Sequence, residues 1–242
     1  MIGMVLGDVE NMSNTQVKIQ RGMTRLLTAW RESVAGREQR LGWKVGFSMP
    51  ADQQRLNLPS AMVGYLSRER SLASGQQYRA SAASNLLVEP EVAILIGRDV
   101  PARAGADRAK AAIAAYTAAL EMVDTTRSVN DDIEEILAGN MFHEAVVLAD
   151  QRLPPNAFSR EQLGLTLCVN GNEVRTLEQQ RVPENFASLI CTVADILAAH
   201  GEQLQSGDWI ITGAAAKPVP IHAGDNVTLD MGFLGKLSLI IC

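Results

Sequence analysis

The sequence predicts an α+β fold built around a mixed β-sheet. Three observations predict this fold: few stretches show helical apolar spacing, many short β-like runs are bounded by glycine or proline, and a hydrophobic fraction of 47% can supply one sizeable core. The chain has 242 residues with no internal repeat. The predicted organisation is an N-terminal helical segment, residues 1–40, followed by one main domain, residues 41–242.

The first half of the chain contains one clear helix and then short strands. Residues 15–36 predict a helix, because apolar residues recur at helical spacing from Met23 to Val34 and Gly36 can end it. Three apolar runs that predict strands follow, at 42–47, 61–66 and 86–97. Residues 107–124 begin as an alanine-rich helix, and their second half fits either a helix or a strand.

The second half is richer in strands. Residues 145–149 predict a buried strand, and Asn170-Gly171 between alternating runs predicts a hairpin over 163–177. Residues 184–201 give the clearest helix, with one apolar stripe and a terminal glycine. Three runs that predict strands complete the chain, at 208–213, 223–232 and 235–242.

Composition excludes several classes of protein. With 22 Lys+Arg against 27 Asp+Glu, the net charge is −5, and no long basic run suggests nucleic-acid binding. No apolar stretch approaches the ~18 residues of a membrane-spanning helix, and no signal peptide is expected. The cysteines, Cys168, Cys191 and Cys242, form no CxxC pair, so we expect no disulfide scaffold and a reducing, cytoplasmic location.

Three glutamates lie in apolar surroundings. Glu89 and Glu91 are two residues apart, so on a strand both side chains point to one face, and Glu121 lies within another apolar run. A buried carboxylate normally protonates, pairs with a cation or binds a metal. Oxygen ligands without Cys or His suit Mg²⁺, Mn²⁺ or Ca²⁺. The alternative is that these glutamates lie at a strand edge or pair with a neighbouring cation: Lys44, Arg98 or Arg127.

Lys44 is a second unusual residue, because it lies in the middle of an apolar strand beside Trp43 and Val45. Its side chain can extend along the apolar surface to reach solvent. A lysine shielded from water can instead carry a proton or stabilise a developing oxyanion.

Five motifs occur in a fixed order: GWKVGF at 42–47, EPE at 89–91, ALEMVDTTR at 119–127, SGDWIITGA at 206–214 and GKLSLII at 235–241. In order and separation they resemble the fumarylacetoacetate hydrolase superfamily, and more narrowly its 2-oxopent-4-enoate hydratase and 4-oxalocrotonate decarboxylase branch. The resemblance runs from about Leu41 to the C-terminus. It implies a mixed β-sheet roll or sandwich of the fumarylacetoacetase C-terminal type, with 41–242 as the catalytic domain.

The resemblance also implies the roles of individual residues. Mg²⁺ or Mn²⁺ is expected on Glu89, Glu91 and Glu121, and Lys44 matches an acid/base lysine. The residues expected to bind substrate are Thr212, Gly213, Ala214 and Asn140. A 2-oxo acid bound to the cation can form an enolate, which serves hydration, decarboxylation or C–C hydrolysis. Lys217, after the substrate turn, either meets a second carboxylate or is a solvated loop lysine.

The implied function is a metal-dependent lyase acting on an unsaturated 2-oxo acid from the meta-cleavage of aromatic compounds. Hydration of a 2-hydroxypentadienoate-like substrate is placed first, and decarboxylation of a 2-oxo-3-enedioate second. Hydrolysis of an acylpyruvate and a non-catalytic, metal-binding partner subunit are further alternatives. The resemblance also implies a homo-oligomer, or a complex between sister hydratase and decarboxylase chains.

Several positions depart from the family pattern. Met62 stands where the related hydratases carry an aspartate, and Gly139 replaces the aspartate of an ADN triplet. Arg127 falls one residue later than the family spacing. His143 either replaces a lost proton carrier or is a histidine at a strand start that makes one hydrogen bond. The two lost aspartates weaken hydration specifically and keep decarboxylation competitive.

Overall fold

The computed structural model describes residues 13–36, 39–127 and 132–242. Its helices are α1 (Asn14–Gly36), α2 (Pro50–Leu56), α3 (Ala106–Ala111), α4 (Ile133–Ala138) and α5 (Phe186–Ala199). Its strands are β1 (Arg40–Gly46), β2 (Met62–Ser67), β3 (Ser71–Leu72), β4 (Gln77–Tyr78), β5 (Leu86–Ile96), β6 (Ile113–Asp124), β7 (His143–Leu148), β8 (Thr166–Val169), β9 (Asn172–Thr176), β10 (Trp209–Ala214), β11 (Val219–Pro220), β12 (Asn226–Asp230) and β13 (Lys236–Ile241). Residues 1–12 and 37–38 of the predicted N-terminal segment lie outside the described part.

The long predicted elements are confirmed. The predicted helices 15–36 and 184–201 correspond to α1 and α5, and the predicted hairpin corresponds to β8 and β9. Asn170 and Gly171 have φ values of 54° and 79°, the left-handed pair that a tight two-residue turn requires.

The ambiguity over 107–124 is resolved in favour of a strand. Only the six residues of α3 are helical, and β6 runs from Ile113 to Asp124 between β5 and β7. Alanine favours helices locally, but pairing on both sides decides the conformation here. The sequence did not predict α2, α4, β3, β4 or β11, which are short and carry little periodicity.

Two mixed sheets make up the β-structure of the described residues. The larger has the order β2-β1-β10-β5-β6-β7-β3, with β11 added to β5; β1–β10 and β3–β7 are its parallel pairs. The smaller has the order β4-β13-β12-β8-β9, in which β13 and β4 are parallel. This arrangement confirms the mixed-sheet α+β fold.

Strands β5 and β6 form the centre of the larger sheet and are buried on both faces. One face packs against the main core. The other carries a small apolar cluster: Leu41, Leu66, Ala93, Ala119, Val146, Trp209 and Ile211. Because side chains alternate along a strand, Glu89 and Glu91 lie on the face of Ala93, and Glu121 on the face of Ala119. The three glutamates therefore continue the surface of this cluster.

Helix α1 packs against α4 through a close approach at Gly22, where an added Cβ would lie 2.8 Å from the Glu134 carbonyl oxygen. Trp30 of α1 also stacks on Tyr65 of β2, with ring centroids 5.1 Å apart. The N-terminal helix thus supports the segment that leads from α4 into the site. The division into 1–40 and 41–242 remains a prediction.

One stretch corrects the sequence-based expectation about membrane spans. Gln179–Ala199 has the length and apolar composition of a spanning helix. In the structure it comprises a 3-10 turn, Gln179–Arg181, a short connection, and the 14 residues of α5. Phe186, Ile190 and Val193 of α5 are buried in the main core, which is typical of a core helix in a globular protein.

Candidate metal and catalytic site

The pairing of β5 with β6 brings the three predicted glutamates together. Glu89 lies directly opposite Glu121 in the antiparallel register, and Glu91 lies two residues further on the same face. One carboxylate oxygen from each residue lies within 4.8 Å of the others. Residues thirty positions apart in the sequence therefore present a compact group of oxygen atoms.

The negative charge of these three glutamates is not balanced by the cationic side chains around them. Burial, together with the negative charge of Glu121, raises the pKa of Glu89 to about 7, and the same causes raise the pKa of Glu91 well above 4.5. The Gly213 N–H donates to Glu91 Oε2 at 2.7 Å, whereas Oε1 is buried without a hydrogen-bond partner among the described residues. An oxygen-only donor set with an unsatisfied buried oxygen fits a hard divalent cation.

Glu121 is the one glutamate of the three that already has cationic support. Burial opposes its ionisation, but the Lys44 ammonium and the hydrogen bond from His143 lower its pKa. Lys44 Nζ donates to Glu121 Oε1, and His143 Nδ1 lies 2.7 Å from the same oxygen. The predicted alternative of a glutamate paired with Lys44 is thus present at Glu121, while Glu89 and Glu91 form no ion pair within the described residues.

The Lys44–Glu121 contact requires a curled sheet. In sheet order β1 and β6 are three strand spacings apart, which is about 14 Å along a flat sheet. The lysine side chain closes that gap only if the sheet bends around the site. Lys44 is 3% exposed, so it does not reach solvent along the apolar surface, and its Nζ also donates to the Met141 carbonyl at 3.1 Å.

The turn after α4 holds this carbonyl in place. Asn140, Met141 and Phe142 have φ values of 56°, 49° and 66°, a left-handed run that non-glycine residues rarely adopt. The Asn140 side chain accepts from the Tyr65 N–H and donates to the Tyr65 carbonyl, both at 3.0 Å. Asn140 therefore fixes the strained turn to β2, and it does not line the cavity described next. Strain of this kind clusters at functional sites.

A cavity of about 350 Å³ opens onto these groups. Its lining includes five of the predicted site residues: Lys44, Glu89, Glu121, Gly213 and Ala214. Its volume is at the lower end of the ~300–1,000 Å³ of pockets that bind small molecules. Glu91 lies behind this surface, and Thr212 is buried with its hydroxyl donating to the Val92 carbonyl at 3.0 Å.

The remaining candidate residues differ in where the structure places them. His143 is buried and makes the single hydrogen bond to Glu121, while its Nε2 has no partner within the described residues. Met62 is buried in β2 and does not line the cavity. Lys217 is exposed and also lies outside the lining. The side chain of Arg127 is outside the described part of the structure.

Sequence reasoning missed two charged residues of the cavity. Asp52 of α2 and Arg181 of the 3-10 turn both belong to the lining. Both occur in polar stretches without a family motif or an apolar pattern, so no local signal marked them. Phe47, with a φ of 53°, also lines the cavity, and such a backbone conformation cannot be read from the sequence.

Replacing Gly213 by alanine is expected to be more damaging than the same change at Gly224. Both glycines have positive φ, 97° and 95°, so both variants carry the left-handed penalty of ~1–2 kcal/mol. At Gly213 the new Cβ would also lie 2.5 Å from Ser48 Oγ, whereas at Gly224 no atom lies within 4 Å. We expect roughly 1–3 kcal/mol of additional destabilisation in urea unfolding. Equal losses in both variants would contradict this account.

In the metal-free protein, Glu89→Gln is expected to gain stability relative to the wild type as pH rises. In the interval between 4.5 and about 7, the folded wild type retains a proton on Glu89 that the unfolded chain has lost. The stability contributed by this group therefore falls as pH rises, whereas glutamine does not titrate. Thermal unfolding of both proteins across this range measures the difference, and buried histidines, which titrate in both, cancel. A pH-independent difference would contradict the prediction.

Comparison with known proteins agrees with the family resemblance of the sequence motifs. A family model described as fumarylacetoacetate (FAA) hydrolase C-terminal matches residues 37–240. The chain is 25% identical over 215 residues to a 4-oxalocrotonate decarboxylase from a Pseudomonas species, covering 88% of this chain and 82% of that protein. It is 27% identical over 211 residues to 2-keto-4-pentenoate hydratase 1 from Dechloromonas aromatica strain RCB, covering 83% and 77%.

Solved structures share the fold. The 4-oxalocrotonate decarboxylase from Pseudomonas putida G7, complexed with magnesium and adipate, superposes with a TM-score of 0.84 at 21% identity, covering 100% of this chain and 90% of that one. The same enzyme complexed with calcium and acetate gives a TM-score of 0.83. At this level of identity the likeness establishes the common fold.

Proposed function

The chain belongs to the fumarylacetoacetate hydrolase family, and we propose that within it the protein is a divalent-metal-dependent lyase acting on an unsaturated 2-oxo acid. Hydration of a 2-oxopent-4-enoate-type substrate is its first proposed reaction, as in the hydratase relatives. The observation that carries the proposal is the group of three carboxylates beside Lys44, with Glu91 and Glu121 buried and Glu89 partly exposed, at a cavity of small-molecule size.

Glu89, Glu91 and Glu121 are the proposed ligands of the cation. When bound, the cation would polarise the keto group of the substrate and offset the negative charge that develops on its oxygen. Gly213 holds Glu91 in position through its N–H. The contacts from Lys44 and His143 both go to Glu121 Oε1. Mg²⁺ and Mn²⁺ both suit oxygen ligands, and magnesium is bound in the decarboxylase neighbour.

Lys44 is the proposed acid/base residue. Its ammonium is held between the Glu121 carboxylate and the Met141 carbonyl, on the wall of the cavity, so it is buried and oriented before substrate arrives. From there it can deliver a proton to the substrate or accept one. Gly213 and Ala214, which line the cavity, are proposed to border the carboxylate end of the substrate, while the Gly213 N–H stays on Glu91. Thr212 and Asn140 support this site through their backbone-directed hydrogen bonds.

Decarboxylation of a 2-oxo-3-enedioate is the second candidate. The observation that favours it is Met62, which is buried in β2 where the hydratase pattern carries an aspartate. Loss of CO₂ needs a group that stabilises the resulting carbanion, but no acid/base pair to add water. A relative with 25% identity is a 4-oxalocrotonate decarboxylase. Acylpyruvate hydrolysis and a non-catalytic subunit are outcomes of the test below.

The test is turnover of two substrates with Mg²⁺ or Mn²⁺. Ultraviolet absorbance follows consumption of 2-hydroxypentadienoate, and release of CO₂ follows 2-oxo-3-hexenedioate. Consumption of the first supports the hydratase, and CO₂ from the second supports the decarboxylase. Inactivity on both and on acylpyruvates, with cation bound, would favour the non-catalytic subunit.

We also propose that the protein is cytoplasmic and forms a homo-oligomer, or a complex with a sister enzyme. Light scattering of the purified protein measures the mass of the homo-oligomer.

A further inference from the structure

Arg181 lies on the cavity wall and carries a positive charge. Neither the proposed metal site nor the proposed role of Lys44 requires that charge. It ends the 3-10 turn Gln179–Arg181, more than fifty residues from the other charged groups of the cavity.

The guanidinium is held in a defined position. Arg181 Nε donates to Glu178 Oε2 at 3.1 Å, and the side chain is 20% exposed. The other carboxylate oxygen of Glu178 accepts from the Lys217 N–H at 2.8 Å, and the Glu178 N–H donates to the Ala215 carbonyl at 3.0 Å. Glu178 therefore fixes Arg181 to the segment that directly follows Ala214.

Arg181 uses its Nε–H for the hydrogen bond to Glu178. Its two terminal nitrogens make no hydrogen bond within the described residues. An arginine carries five N–H donors in a planar fork, and the terminal pair matches the two oxygens of a carboxylate. A guanidinium anchored through Nε on the wall of this cavity is thus preorganised for a second carboxylate. Asp52, also in the lining, would repel such a group, but it faces Arg55 at 3.8 Å.

We propose that Arg181 determines specificity by binding the distal carboxylate of a dicarboxylic 2-oxo acid. This inference rests on the proposed function, since the 2-oxo end is taken to bind at the three glutamates. It selects the dicarboxylate class, to which the 2-oxo-3-enedioate of the second proposed reaction belongs, over monocarboxylic 2-oxo acids such as the substrate of the first, and it therefore favours decarboxylation over hydration. Lys217 is the competing candidate, but its side chain is exposed and lies outside the cavity lining.

The experiment compares 2-oxoadipate with 2-oxohexanoate, two saturated six-carbon acids that differ only in the distal carboxylate. Isothermal titration calorimetry in Mg²⁺ measures both affinities for the wild type, Arg181→Met, Arg181→Lys and Lys217→Met. We expect the wild type to bind the diacid roughly 10- to 100-fold more tightly, the value of one charge-assisted contact. In Arg181→Met that preference should fall to about one, with monoacid affinity unchanged. Arg181→Lys should retain part of it, and Lys217→Met all of it.

The outcomes separate the two levels of the proposal. If both acids bind in a Mg²⁺-dependent manner with equal affinity, or if Lys217→Met rather than Arg181→Met removes the preference, the role of Arg181 is overturned and the metal site stands. If neither acid binds in the presence of Mg²⁺, both proposals fail. Circular dichroism of Arg181→Met, whose lost contact is to Glu178 alone, verifies that each comparison concerns folded protein.

Discussion

Glu89→Gln is expected to lower the affinity for Mg²⁺ or Mn²⁺ by at least ~100-fold. Groups that only hydrogen-bond a metal ligand already change affinity by ~10–100-fold, and Glu89 is a proposed ligand itself. Glutamine keeps the size of the side chain but removes the negative charge and one strong oxygen donor. Isothermal titration calorimetry on the metal-free proteins measures the affinity directly and requires no substrate.

Two further readouts separate metal binding from folding. Glu135→Gln is a matched control, because Glu135 forms an exposed pair with Arg25 and does not line the cavity at the three glutamates. It should bind metal like the wild type. Added Mg²⁺ should raise the melting temperature of the wild type and of this control, since a ligand that binds only the folded state stabilises it. It should leave Glu89→Gln unchanged. Wild-type metal affinity in Glu89→Gln would remove this residue from the site.

Lys44→Met is expected to lower kcat by ~10²–10⁴-fold, the usual contribution of a positioned acid/base group. Methionine retains the unbranched apolar stem but cannot transfer a proton. Metal affinity should stay equal or rise, because the variant removes a positive charge from the side of Glu121. Steady-state kinetics with the better substrate, and calorimetry with Mg²⁺ alone, measure the two effects separately.

The control for Lys44→Met is Lys236→Met. Lys236 pairs with Asp230 at 2.7 Å on an exposed part of the smaller sheet, so its loss should change neither kcat nor metal affinity. The metal-free Lys44→Met protein should be less stable than the wild type, since the buried Glu121 then loses its ion pair and keeps, among the described residues, the hydrogen bond with His143. Added Mg²⁺ should recover that loss. Full activity in Lys44→Met would exclude the lysine from the mechanism.

Much of the candidate site could be predicted because its signals are local. An i, i+2 pair of glutamates on a strand must share a face, and Lys44 within an apolar strand must be either buried or extended to solvent. The structure brings Glu89, Glu91, Glu121 and Lys44 together, although their assignment as metal ligands and catalytic residue remains a proposal.

Other predictions could not come from local pattern. Asn140 was expected on the substrate, yet its amide is engaged by the Tyr65 backbone. Thr212 was expected to bind substrate, which stays a prediction, and its hydroxyl donates to the Val92 carbonyl. In both cases the residue type suits either task, and only the neighbouring strand decides which partner it meets. Arg181 and Asp52 were missed for the converse reason, since isolated charges on polar segments are ordinary.

The sequence by itself determined most of the longer strands other than β6, the two long helices, the hairpin at Asn170-Gly171 and the presence of carboxylates in apolar runs, because each depends on residues within a few positions of one another. Only the tertiary structure decided that Glu121 faces Glu89, that the sheet curls until Lys44 reaches Glu121, and that Arg181 joins their cavity. Strand register and sheet curvature arise from pairing and packing between distant segments, and a one-residue shift in register would turn Glu121 to the opposite face.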